Sequence, residues 1–176
     1  MSERLSTKRL VLVILAFLTL GIVLATHAPA ATAVSVDGVL KLMPVPVSVT
    51  AREGRFRVDE NLVIGGTKLI SPTDRAFRAA ARFLSRLAGR TGLFLKQDFL
   101  TGRKPAGEGG ILYSFDKTGT LLPNEDESYS LSVDTAKVAL SAKTDIGILR
   151  GLETLLQLLS ADETGYYFRL LTTICG

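Results

Sequence analysis

Residues 129–159 read YSLSVDTAKVALSAKTDIGILRGLETLLQLL. Tyr129, Leu131 and Val133 alternate with serines, and Val138, Leu140 and Ala142 repeat the pattern after four residues able to turn the chain. Period-two alternation of this kind predicts a hairpin with one buried face. Thr144 or Asp145 then caps a helix whose apolar stripe is Ile148, Leu149, Leu152, Leu155, Leu156 and Leu159. A hairpin running straight into an amphipathic helix excludes an all-helical bundle and an all-strand sandwich. It also breaks a strict strand-helix alternation, so the chain needs an α+β architecture in which helices cover one sheet face.

The rest of the sequence fits that frame. Ser71-Pro72-Thr73-Asp74 is a helix-start signal, followed by a stripe of Phe77, Ala80, Ala81, Leu84, Leu87 and Ala88 and a glycine stop at Gly89 or Gly92. The helix is predicted over residues 72–88. Short strands are expected at residues 55–58, 62–64, 93–95 and 111–115, with Glu53-Gly54 and Asp59-Glu60-Asn61 as turns. Pro44 and Pro46 lack ladder donors, so the segment leading in from residue 34 is expected to be extended or an edge strand. The sum is a two-layer α+β sandwich, a mainly antiparallel or mixed sheet of four to six strands with two long helices on one face.

Arg4, Lys8 and Arg9 precede an apolar run over residues 10–25, and small-x-small sites end at Ala30 or Ala33. This is the pattern of an export signal, with an uncleaved N-terminal anchor as the alternative. Residues 1–33 are therefore expected to direct the chain out of the cytoplasm, to a periplasmic or extracellular location, with membrane attachment only if the segment stays on. Removing it takes away three cations and one anion, and the net charge falls from +4 to +2. The basic balance is thus partly a targeting feature and is no argument for nucleic acid. The single histidine, His27, is lost with the same segment. Without an imidazole there is no Ser-His-Asp or Cys-His catalysis and no histidine-based zinc site. The lone cysteine, Cys175, can form no internal disulfide.

Three other features carry weaker chemical signals. Arg75, Arg78, Arg82 and Arg86 share one side of the first helix, which reads as a solvated basic face or as a surface for an acidic or anionic partner. Gly65-Gly66-Thr67-Lys68 and the loop TGRKPAGEGG at residues 101–110 lack the Gly-Lys-Ser/Thr ending of a phosphate loop. Asp126-Glu127 is an adjacent carboxylate pair, but it lies in the loop before the hairpin, where exposed carboxylates are ordinarily solvated.

Glu127-Ser128-Tyr129-Ser130-Leu131-Ser132-Val133, Val138-Ala139-Leu140-Ser141-Ala142 and Gly147-Ile148-Leu149-Arg150-Gly151-Leu152-Glu153-Thr154-Leu155-Leu156-Gln157-Leu158-Leu159 resemble the N-terminal domain of bacterial β-N-acetylhexosaminidases, the family-20 glycoside hydrolases. Leu42-Met43-Pro44-Val45-Pro46 resembles the start of that domain, and the likeness spans residues 40–168. Glu153 stands where the family pattern has glutamine. The resemblance implies a zincin-like α/β fold with no metal. It also implies a (β/α)8 barrel as partner, bearing an Asp-Glu pair in which Glu is the general acid and Asp orients the substrate acetamido group. The acetamido oxygen then attacks the anomeric carbon, an exception to the two-carboxylate scheme. Substrates would be terminal N-acetylhexosamines of chitin, peptidoglycan or glycan type. On this reading residues 34–168 are an accessory domain with no catalytic, cofactor or metal residues, residues 169–176 are a truncated tail, and Asp126-Glu127 is not the catalytic pair. A free-standing binding module and the accessory domain of another barrel glycosidase are the alternatives.

Overall fold

The computed structural model describes residues 42–43, 45–66, 71, 73–95 and 110–175. The expected export segment, Thr67-Lys68 and most of the 101–110 loop lie outside them. The elements are β1 (Ser48–Val58), β2 (Val63–Gly66), α1 (Arg75–Thr91), β3 (Gly110–Lys117), β4 (Tyr129–Val133), β5 (Lys137–Thr144), α2 (Asp145–Gln157), β6 (Leu159–Asp162) and β7 (Gly165–Cys175). Among the described residues seven strands form one mixed sheet in the order β1-β7-β4-β5-β3-β2, with β6 beside β7. Only β2 with β3 and β3 with β5 run parallel. The α+β sandwich is as expected, and the sheet has one strand more than the upper expectation.

The predicted hairpin is β4 and β5, paired from Tyr129 opposite Ala142 to Val133 opposite Val138. Their alternation orients the whole sheet: Tyr129, Leu131, Val133, Val138 and Leu140 are buried beneath the helices, while Ser130, Ser132 and Ser141 lie on the other face. Helix α2 is capped by Thr144, whose hydroxyl accepts the Gly147 N–H at 3.4 Å and donates to the Asp126 carbonyl at 2.7 Å. The two helices run parallel and side by side. Arg75 in the first turn of α1 reaches Asp145 in the first turn of α2 at 2.9 Å, and Arg90 in the last turn donates to the Leu156 carbonyl at 2.7 Å. Phe83, Leu84 and Leu87 from α1 share one core with Ile148, Leu152 and Leu155 from α2 and Ile111, Leu131 and Phe168 from the sheet.

The structure departs from the sequence reading in four places. Helix α1 begins at Arg75, not at residue 72. Asp74 is its N-cap by backbone, but the Asp74 carboxylate turns back to accept the Ser71 N–H at 2.7 Å, so Ser71 to Asp74 is a turn ahead of the helix. The helix ends at Gly92, which takes φ +70° and donates its N–H to Ala88, a left-handed cap that favours glycine. Residues 93–95 form no strand. Glu53 and Gly54 are not a turn but the interior of β1, where the register shifts between Ala51 and Arg55 and Gly54 adopts φ +119°. Such a bulge bends the strand without ending it.

The fourth departure matters most. The boundary expected after Phe168 falls inside β7, and the sheet continues to Cys175. Strand β7 pairs with β1 along its length. On its other side it pairs first with β6, from Gly165 opposite Asp162 to Phe168 opposite Leu159, and then with β4, from Leu171 opposite Val133 to Cys175 opposite Tyr129. It joins the edge hairpins to the rest of the sheet.

Candidate functional site

Strands β3, β5 and β7 all end at one edge of the sheet, where β4 begins. The register places Lys117 opposite Thr144 and Cys175 opposite Tyr129 there. In sheets with helices over parallel strands this carboxyl edge is where loops gather. Residues 118–128 cross it, and both helices start beside it. A cavity of about 350 Å³ opens at the same edge on the helix-free face, lined by Ser114, Asp116, Ser128, Ser130, Ser141 and Lys143.

The loop is fastened at its base by a partly buried ion pair. The Asp145 carboxylate accepts the Gly119 N–H at 2.7 Å and the Arg75 guanidinium at 2.9 Å, while Arg75 also donates to the Gly119 carbonyl at 3.3 Å. The Asp145 side chain is 3% exposed, so two donors and the start of its own helix offset its desolvation. The Glu125 carboxylate accepts from both the amide and the hydroxyl of Thr120, which pulls its pKa below the usual range.

Asp126 and Glu127 follow. Asp126 accepts from the Ser128 hydroxyl and, at 3.0 Å, from the Ser128 N–H, and pairs with Lys143 at 2.9 Å. The serine contacts and the lysine hold its carboxyl far below the ordinary carboxylate pKa. Glu127 takes a two-pronged contact from Arg150, 2.7 and 3.0 Å, and its pKa is lowered by that hydrogen bond. Both groups are therefore held ionised at neutral pH. A general acid must keep its proton there, and its pKa is raised, not lowered.

A second ionic cluster lies on β1, β6 and β7. Asp162 is bound by Arg55, by both terminal nitrogens of Arg57 at 2.9 and 3.0 Å, and by the N–H and hydroxyl of Thr164. Arg55 and Arg57 lie 4.7 and 5.6 Å from the centroid of the Tyr167 ring. Hydrogen bonds from Arg57 and Thr164 lower the Asp162 pKa strongly. The group's folded pKa is thus below its unfolded value of about 4, so its contribution is complete above that pH and fades as the pH falls beneath it. The melting temperature should be nearly level from about pH 7 to pH 5 and decline below about pH 4. Asp162→Asn should remove part of that decline, measured as a smaller change in Tm between neutral and acid buffer. The clusters are exposed, so each contributes modestly.

The expected arginine face divides in two. Arg75 and Arg86 turn to α2, where they meet Asp145 and Glu153. Arg78 and Arg82 are exposed and show no such pairing among the described residues. Glu153, the departure from the family pattern, is accounted for by its contact with Arg86. Among the described residues no group of three or more His, Cys, Asp or Glu side chains is placed to hold a metal, and no helix is long and apolar enough to cross a membrane. The sequence reading passed over Leu121 and Leu122. Their signal was an apolar pair inside a polar loop, and the backbone that displays them could not be read from composition.

A mixed sheet carrying two parallel helices, with ion pairs linking several of its loops and strands, defines an α+β sandwich domain. The model of glycosyl hydrolase family 20, domain 2, matches residues 39–173, and the chain belongs to that family. It is 28% identical over 126 residues to a beta-hexosaminidase of Porphyromonas gingivalis, an alignment covering 72% of this chain and 15% of that protein. The solved chitobiase of Flavobacterium johnsoniae is 40% identical with a TM-score of 0.67, over 77% of this chain and 20% of its own. An exo-β-N-acetylglucosaminidase from Vibrio harveyi, solved with N-acetylglucosamine, shares the fold at 20% identity and a TM-score of 0.51, over 86% of this chain and 20% of its own. The chain thus spans about a seventh of the curated relative and a fifth of each solved one.

Proposed function

We propose that this domain is the non-catalytic accessory domain of an exported β-N-acetylhexosaminidase. The carrying observation is that this chain covers only a fifth of the 40% identical chitobiase, while the family's domain 2 model matches residues 39–173 of this chain. The parent enzyme would remove terminal N-acetylhexosamine from chitin-, peptidoglycan- or glycan-type chains, and its (β/α)8 barrel would be the partner that holds the acid and the acetamido-orienting carboxylate. Export is carried by the signal pattern in residues 1–33. The local chemistry supports the same assignment. Asp126 and Glu127 are kept deprotonated by Ser128, Lys143 and Arg150, so neither can protonate a leaving glycosidic oxygen at neutral pH.

The purified chain should give no release of chromophore from a chromogenic N-acetylglucosaminide above the uncatalysed rate. Turnover by this chain that disappears in Asp126→Asn or Glu127→Gln would overturn the assignment.

A further inference from the structure

We propose that the tip of the 118–128 loop, Leu121 with Leu122, is the anchor by which this domain docks onto the catalytic portion of its own polypeptide. The inference rests on the accessory-domain reading above. Both leucines stand in water, 69% and 65% exposed. Leu121 has φ +63°, the one positive value among the described non-glycine residues. A side chain with a Cβ is crowded in that region, and such a conformation persists only where its surroundings impose it.

The surroundings are all on the loop and its base. Thr120 donates twice to Glu125, and the Glu125 N–H donates to the Leu122 carbonyl at 3.0 Å, closing the tip. Gly119 is held by Asp145 and Arg75 at the first turns of both helices. A loop with no task would relax to an ordinary backbone and lay two leucines on the domain. This one is braced so that they project. An apolar anchor fixed in advance loses little conformational freedom when it is buried by a partner.

Position selects the occupant. The tip leads into Tyr129, and Tyr129 is paired with Cys175, the end of β7. Polypeptide leaving β7 therefore emerges at the sheet edge that the 118–128 loop crosses. The solved relatives have about four-fifths of their length outside the matched region. A portion tethered at this edge meets the tip at high effective concentration, which favours it over any free partner.

The test joins the 176-residue chain to the portion of the Flavobacterium johnsoniae chitobiase outside its matched region, with and without Leu121→Asn and Leu122→Ser. Asparagine tolerates positive φ, so the paired change should leave the Tm of the 176-residue chain alone unchanged or raised by about 1–2 °C. In the active fusion the same change should lower the Tm by about 5 °C or more. An active fusion whose melting is indifferent to the change would overturn the docking site and leave the accessory assignment standing. A folded but inactive wild-type fusion would count against the accessory assignment itself and the proposal with it. If the fusion is insoluble, a hydrophobic fluorescent dye on the 176-residue chain decides: the paired change should lower the bound signal, and an unchanged signal would overturn the proposal.

Discussion

A chain ending at Phe168 should not fold. The eight residues removed look dispensable in the sequence, yet they supply the half of β7 that pairs with β4 and with the start of β1. Leu170 and Leu171 leave the core, where they are 6% and 0% exposed, and so does the buried Thr173. Burial of two leucines contributes about 3–6 kcal/mol. The ladder bonds on both sides of the lost segment contribute about 1 kcal/mol each in addition. The sum consumes the roughly 5–15 kcal/mol that stabilises a domain of this size. Strand β4 would also become an open edge beside Leu131 and Val133, both fully buried in the intact sheet. Urea unfolding monitored by circular dichroism would show no cooperative transition for the shortened chain. A transition within about 1 kcal/mol of the intact protein would show that β7 does not hold the two parts of the sheet together.

Why β7 escaped the sequence reading follows from its neighbours. Strands β4 and β5 keep one set of partners and one buried face, so their alternation is visible in the letters. Strand β7 changes partner from β6 to β4 halfway, and its buried residues are Tyr167, Phe168, Leu170, Leu171 and Thr173. That sequence has no period of two and reads as an unpatterned apolar tail. Pattern reading sees a face and misses a strand whose buried residues follow no single period. The helix ends show a different limit. The helix stop was legible only as Gly89 or Gly92 and the second cap only as Thr144 or Asp145; the structure keeps Gly89 inside the helix and selects Gly92 and Thr144. At Ser71 the first turn could close as a helix or as a turn held by Asp74, and only the assembled chain selects the turn. The edge itself was half legible. The carboxylates at 126 and 127 were seen, but their partners Lys143 and Arg150 come from other elements. The display of Leu121 depends on Glu125 and Asp145 acting together, which no local motif encodes.

Two glycines within helices should respond to added side chains in opposite directions. Gly147, in the first turn of α2, sits against the sheet. A Cβ there would overlap the Ser128 carbonyl oxygen, approach the Ala142 Cβ to 2.7 Å and come within 3.3 Å of the Glu127 carbonyl. Two of these three neighbours are main chain in the segment leading into β4 and cannot rotate away. Helix α2 would have to lift, and Ile148, Leu152 and Leu155 would lift with it. Overpacking of this kind costs about 1–3 kcal/mol for a small intrusion. Gly147→Val adds two further carbons and a stiff χ1, so the loss should be about 3 kcal/mol or more, with the Tm lower by roughly 10 °C. Gly89, inside α1 and exposed, has nothing within 4 Å of a built Cβ. Gly89→Ala should therefore gain up to about 1 kcal/mol from helix propensity alone. Equilibrium urea unfolding of both variants against the parent chain measures the pair. Opposite signs would show that α2 is seated on the β4 lead-in at van der Waals contact. A Gly147→Val protein as stable as the parent would mean that the helix has room to move, and that the edge of the sheet is less tightly built than these contacts require.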